Sequence, residues 1–373
     1  MKILLVTWTE KLSDKLLFLN PELEYCAIVT DDVESAKKIL EQVGLSPNLI
    51  YPFYDLKACL KNFYFDYLLC LDNGWEMKFL SFAQECGVPK EKIIALNFPL
   101  NDNFLVERSL RYFKEHAAEF EIFATGMSYA EVSLDVTQFK RPLFNFARSS
   151  QDLYYNFLVA KFAIENGKNL RYALIELAPY KFHYDLSKSS NLQFLMPHYF
   201  IAFNDLHNFY MPAELYRKFF REEFLSSKVS LESFDLNNPF YMKKPLCFMT
   251  PQTKFEIVKK GDGGGGKDFP ETRDENIKIL DDYLTLCEEN FIRPIIFLQP
   301  MSTGYMKNYS KRRMDEFRYL VNQACKKHSA AIFVDGWKIG VFKDEDFYDY
   351  GHMNILGAAK FSAFLNKIIE SLE

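Results

Sequence analysis

Ile122-Phe123-Ala124-Thr125-Gly126-Met127-Ser128-Tyr129-Ala130 is the stretch on which the fold turns. Four residues of strand character run into a glycine, and a serine follows two positions later. The pattern predicts a strand, Glu121–Thr125, that turns sharply and enters a helix, because glycine accepts the backbone angles of a tight turn at little cost. Ser128 then stands at the carboxyl edge of a sheet, where open α/β folds take their ligands. A serine is a weak nucleophile until a base stands beside it. The question is whether the chain supplies a histidine and a carboxylate.

Asp346-Phe347-Tyr348-Asp349-Tyr350-Gly351-His352-Met353-Asn354-Ile355-Leu356-Gly357 supplies both, just ahead of an apolar helical run. Asp349 precedes His352 by three residues, a spacing that lets the carboxylate reach one ring nitrogen and leaves the other for the Ser128 proton. His183, with Asp185 nearby at the end of the strand Arg171–Leu177, is a rival base without the Asp-x-x-His spacing. On these residues Ser128, His352 and Asp349 are the catalytic candidates.

The order of these blocks resembles the SGNH (GDSL-like) hydrolase superfamily over about residues 119–373. It is most similar to the group around the D-alanyl transfer protein of teichoic acid and the alginate-type acetyltransferases. The resemblance implies a serine-dependent esterase or O-acyltransferase acting on a carbohydrate, such as a bacterial surface glycan or its precursor, through an acyl-enzyme. It implies no metal and no organic cofactor. It also implies an oxyanion hole near Gly126 and in the loop after the second strand, where Ser149, Ser150 and Gln151 stand. Asn145 is a side-chain donor there, and Gln299, at the end of the fourth strand, is a residue that lines the site. Met127 replaces the family's aspartate before the serine. Glu176-Leu177-Ala178-Pro179 replaces its asparagine-bearing block. In the same loop Ser150 or Asp152 can instead cap the following helix. Arg148 is either a contact for an anionic substrate or a surface residue.

Residues 1–118 read as strands (Ile3–Val6, Ala27–Thr30, Tyr67–Leu71, Ile93–Leu96) alternating with helices, the pattern of a parallel sheet. Asp32 is placed to cap a helix that Gly44 ends, and a second helix runs from Met77 to Glu85 before Gly87. The fold class is therefore α/β: an N-terminal Rossmann-like parallel-sheet domain, then a three-layer α/β/α domain over 119–373. Thr7-Trp8-Thr9-Glu10 follows the first strand where a dinucleotide fingerprint would need glycines, so no NAD site is expected. The N-terminal domain serves as a scaffold or partner surface, or holds a nucleotide-sugar. The corresponding alternatives for the whole chain are a glycan-modifying transferase and a non-catalytic glycan-binding protein.

A helical, aromatic-rich insertion covers about 186–270. Its run Leu192–Tyr210 reads as core packing or as a cap over an acyl or glycan groove. The Gly263-Gly264-Gly265-Gly266 run has no Ser or Thr after Lys267 and reads as a surface loop or hinge, not a phosphate loop. A net charge of −5 argues against a nucleic-acid partner. Hydrophobic content of 49% and charged content of 25% are globular values, which leaves a carbohydrate or acylated small molecule as the expected partner and a homo-oligomer open. Seven cysteines form no Cys-x-x-Cys pair, as in a reducing, cytoplasmic setting. The first apolar run is too short for a signal peptide, and no transmembrane segment is expected.

Overall fold

A computed structural model describes the chain except residues 11, 47–48, 72–75, 97–104, 190–194, 210 and 221–268. The glycine run 263–266, the second half of the insertion and Cys247 lie outside the described residues. The fold is α/β, with two five-stranded parallel sheets in two compact units. The first unit takes Met1–Glu107 and Ser187–Leu231, the second Arg108–Leu186 and Glu232–Glu373.

In the first unit, β1 (Lys2–Thr7), β2 (Glu24–Thr30), β3 (Ile50–Pro52), β4 (Tyr67–Leu71) and β5 (Ile93–Leu96) run in the order β3-β2-β1-β4-β5, a Rossmann-like arrangement. Ile3, Leu4, Leu5 and Val6 are buried on both faces, as the unbroken apolar run of a central parallel strand requires. Asp32 caps the helix Val33–Gln42 by accepting the Ser35 N–H at 3.0 Å, and Gly44 leaves it at φ +75°. β3 is the strand that the sequence pattern does not reveal. It is three residues long, ends in Pro52 and pairs with β2 at the sheet edge, where a missing N–H is tolerated.

The division departs from the expected boundary at 118/119 in two places, each with a physical reason. From Arg108 onward the helix Leu105–Glu115 belongs to the second unit, because Phe113 packs on Phe144 and Phe146, with ring centroids 5.4 and 5.0 Å away. Ser187–Leu231, expected as an insertion in the second domain, packs with the first. Asn20 donates its backbone N–H to the Phe219 carbonyl and its side-chain amide to that of Lys218, and the Tyr67 ring meets Phe219 edge-on. Tyr199 and Phe200 on the helix Met196–Phe203 are buried, and Phe200 stacks on Phe220 and meets Tyr216 edge-on. These rings pack a core.

In the second unit, β6 (Ile122–Thr125), β7 (Leu143–Asn145), β8 (Tyr172–Glu176), β9 (Arg293–Leu298) and β10 (Ile332–Asp335) run in the order β10-β9-β8-β6-β7. Ala124, Leu174, Ile295 and Phe297 share one face with Phe361, Leu365 and Ile369 of the C-terminal helix Ile355–Ser371. On the other face Thr125 Oγ1 meets the Tyr283 hydroxyl of the helix Arg273–Glu289 at 3.0 Å, and Tyr283 packs beside Phe157 of the helix Leu153–Asn166. The chain leaves β6 for β7 on one side and returns to β8 on the other. The crevice at the carboxyl ends of β6 and β8 is therefore the topological switch point, where ligands bind in open α/β sheets.

The helix Arg273–Glu289 closes with Ile292 N–H on the Cys287 carbonyl and Phe291 N–H on that of Glu288, a Schellman pairing. The left-handed position is held by Phe291, at φ +57° and 95% exposed. A β-carbon in that conformation costs about 1–2 kcal/mol. Asn tolerates it better, and the exposed ring contributes little packing. Phe291→Asn should raise stability by about 0.5–1 kcal/mol in urea denaturation, and a loss would mean that the ring is covered in solution.

Candidate active site

Met127 stands at the N-cap of the short helix Ser128–Ser133, so Ser128 opens the first turn directly after β6. Gly126 is needed here for space and not for its backbone angle, since its φ is not in the left-handed region. A β-carbon at 126 would lie 2.6 Å from Glu176 Cβ and 2.7 Å from Ala130 Cβ. The expectation of a glycine-specific turn is corrected accordingly: the glycine lets β6 and β8 run close at their ends.

The far block forms a tight loop. Phe347 and Met353 bridge antiparallel, and Tyr348 N–H bonds the His352 carbonyl at 2.8 Å. Asn354 then caps the C-terminal helix, accepting from Leu356 N–H and Gly357 N–H. Inside the loop, Asp349 Oδ1 accepts the backbone N–H groups of Gly351 and His352 at 2.8 and 2.7 Å. The carboxylate also meets His352 Nδ1, at 2.9 Å from Oδ2. His352 Nε2 lies 2.9 Å from Ser128 Oγ. Serine, imidazole and carboxylate, 224 residues apart in chain at the widest, thus form one hydrogen-bonded line.

Burial pushes the Asp349 carboxyl up, but the bonds from the His352 ring and from the two backbone N–H groups outweigh it and hold it below the usual carboxylate range. A carboxyl depressed in the folded state adds stability above its unfolded value and loses that contribution as pH falls through the folded value. The melting-temperature gap between wild type and Asp349→Asn should therefore be open at pH 6 and close as acid passes below 3.8, the ordinary aspartate value. A gap independent of pH would deny the charge-assisted bond.

Tyr129 is buried with its ring centroid 5.3 Å from that of His352, and burial drives its phenol far up, so it stays neutral. Glu131, one turn after Ser128, has its carboxyl raised by burial against the opposing pull of Arg148. Arg148 is no surface residue: its side chain is 12% exposed, with Nη1 3.4 Å from Glu131 and Nη2 3.0 Å from Ser109 Oγ.

Of the expected oxyanion donors, Asn145 and Gln151 are spent on the protein itself. Asn145 Nδ2 donates to the Ala130 carbonyl at 3.1 Å and its Oδ1 accepts Ala147 N–H. Gln151 is buried, with its backbone N–H on the Arg148 carbonyl at 3.0 Å and its side-chain amide on Asn156 Oδ1. Ser150 is buried at φ +61°, its carbonyl held by the Tyr184 hydroxyl. Asp152 caps the next helix through Tyr155 N–H and also holds Leu186 N–H, which settles the open choice in favour of Asp152 as the cap. Met127 N–H points inward to Glu176 Oε2 at 2.8 Å. Among the described residues, the Ser128 N–H is left at the mouth of the crevice with no acceptor.

His183 is bonded through Nε2 to Glu316 at 3.2 Å, and the Ser128 hydroxyl meets His352 instead, at 2.9 Å. Gln299 does not line the site. It is fully buried and donates to the Gly351 carbonyl beneath the His352 loop. Glu176, Tyr129 and Glu131 surround the site without having been singled out as functional. The one signal for Glu176 is a carboxylate closing an otherwise apolar strand.

At the corresponding edge of the first sheet, polar groups also bond one another: Thr9 N–H to Asp31 at 2.7 Å, and Lys15 Nζ to Thr7 Oγ1 and the Trp8 carbonyl. All six cysteines among the described residues are free thiols. No helix among the described residues is long and apolar enough to cross a membrane. No protein-family model matches the chain, and no curated protein matches it either.

Proposed function

We propose that the second unit is a serine-dependent esterase or O-acyltransferase. His352 takes the Ser128 proton, the Ser128 oxygen adds to an ester carbonyl, and the tetrahedral oxyanion collapses with expulsion of the alcohol, protonated by the imidazolium. Water or a sugar hydroxyl, deprotonated by His352, then attacks the acyl-serine and releases Ser128. Asp349 fixes the tautomer that leaves Nε2 free to accept, and it stabilises the imidazolium. The Ser128 N–H is the donor nearest the developing oxyanion.

The observation that carries this reading is the unbroken line from Ser128 Oγ to His352 Nε2 to Asp349, with both contacts at 2.9 Å. The carbohydrate class is supported by the resemblance to SGNH acyltransferases. It is also supported by Tyr350, next to Asp349, whose 42%-exposed ring lies parallel to Tyr305 and offers a flat face to a sugar ring.

The experiment is labelling of the intact protein with a fluorophosphonate, followed by mapping of the adduct by mass spectrometry. A single phosphonyl group on the peptide bearing Ser128 is expected. Labelling of another residue, or none, would overturn the assignment.

A further inference from the structure

Two buried polar side chains lie under the line of Ser128, His352 and Asp349. Glu176 ends β8 and Gln299 follows β9, and both are fully buried. Strand alternation puts Glu176 on the face of Leu174, and Gln299 follows Ile295 and Phe297 at the same parity. A carboxylate and an amide in that row cost several kcal/mol unless they are bonded, so what they bond is informative.

Their bonds go to two particular peptide groups. The Gly126–Met127 peptide gives its N–H to Glu176 Oε2 at 2.8 Å, and its carbonyl takes the Arg148 N–H at 3.2 Å. That fixes the peptide plane from both sides and sets the direction in which Ser128 leaves the turn. The Gly351–His352 peptide gives its N–H to Asp349 at 2.7 Å, and its carbonyl takes the Gln299 amide. That fixes the plane from which the His352 ring departs. The second peptide before the nucleophile and the peptide just before the base are each clamped by one buried side chain from neighbouring strands.

We propose that Glu176 and Gln299 are a pair of positioning residues that set the Ser128–His352 distance from beneath the sheet edge, an inference that rests on the serine-hydrolase reading above. Proton transfer between serine and imidazole depends steeply on that distance, and a misplacement of about 1 Å costs about 10²-fold in rate. The pair acts on geometry, so its loss should lower the rate of reaction of bound inhibitor and leave inhibitor affinity alone.

The test separates these quantities by fluorophosphonate inactivation at several concentrations. Glu176→Gln keeps an oxygen acceptor of the same reach and should retain the maximal inactivation rate to within about threefold. Glu176→Leu and Gln299→Leu should each lower that rate by about 10²-fold with little change in the half-saturating concentration. A wild-type rate in both folded Leu variants, an effect confined to half-saturation, or a Glu176→Gln loss as deep as that of Glu176→Leu would each overturn the proposal. Should the Leu variants fail to fold, amide exchange at Met127 in the wild type decides. A slow Met127 N–H supports the clamp, and exchange as fast as that of an open helix start overturns it. That measurement also stands apart from catalysis: a wild type that never labels refutes the serine reading, while Met127 exchange still reports on Glu176.

Discussion

Exchange of His352 for glutamine should lower fluorophosphonate labelling of Ser128 by about 10⁴-fold or more while leaving the melting temperature within a few degrees. The argument is chemical. A serine hydroxyl is un-ionised at neutral pH, so its nucleophilicity depends on a base that takes the proton as the new bond forms. His352 Nε2, at 2.9 Å, is that base, and a glutamine amide has no basic nitrogen to offer. Asp349→Asn should cost less, about 10²–10⁴-fold, since the imidazole survives but loses the carboxylate that fixes its tautomer. The ranking matters more than either figure. If Asp349→Asn proved worse than His352→Gln, the loop would matter as a fold element rather than as a triad. If His352→Gln labelled at the wild-type rate, Ser128 would have no role for the imidazole and the mechanism would fall. Each variant needs a melting curve, because Asp349 also ties down two N–H groups of its own loop.

What could be read from the chain alone follows from how local each signal is. Asp349 and His352 are three residues apart, so their bond is a property of one loop and is visible as a spacing. Ser128 is visible because a strand, a small residue and a helix start occur together. That the two blocks meet follows from both lying at carboxyl ends of strands in one parallel sheet. The partners of the oxyanion candidates are hidden in the sequence for the opposite reason. Asn145 and Gln151 are polar residues at the correct edge, but a polar group at an edge can turn outward to a ligand or inward to a group of the protein that would otherwise go unpaired. Here the Ala130 carbonyl and Asn156 claim the side chains of Asn145 and Gln151. For Asn145 the choice is made by a carbonyl fifteen residues back on another element, which no local pattern records. The boundary between units has the same character. Ser187–Leu231 joins the first unit through Asn20 and Tyr67, more than a hundred residues upstream.

Gly126→Ala is the substitution in which fold and site are hardest to separate, and it should damage both. The new β-carbon would meet Glu176 Cβ at 2.6 Å and Ala130 Cβ at 2.7 Å. Neither is the free end of a flexible chain. Glu176 is fixed by β8, and Ala130 by the helix that carries Ser128. β6 and β8 are held together by their ladder through Thr125 and Ile175, so the sheet resists parting. The helix is the softer element and should lift away from β8. Overpacking of this kind costs about 1–3 kcal/mol, and the lift moves Ser128 from a His352 whose loop is held independently by Gln299. A shift of about 1 Å would then lower the labelling rate by about 10²-fold. Gly304→Ala is the matched control. It lies in the helix Thr303–Asn308 with nothing within 4 Å of its added carbon, and should gain about 0.5–1 kcal/mol from helix propensity with labelling unchanged. Urea denaturation and inactivation kinetics on the two variants give the contrast directly. A Gly126→Ala protein as stable and as reactive as the Gly304→Ala protein would mean that β8 and the Ser128 helix are not in close contact, and the clamp from Glu176 to the nucleophile turn would lose its geometric basis.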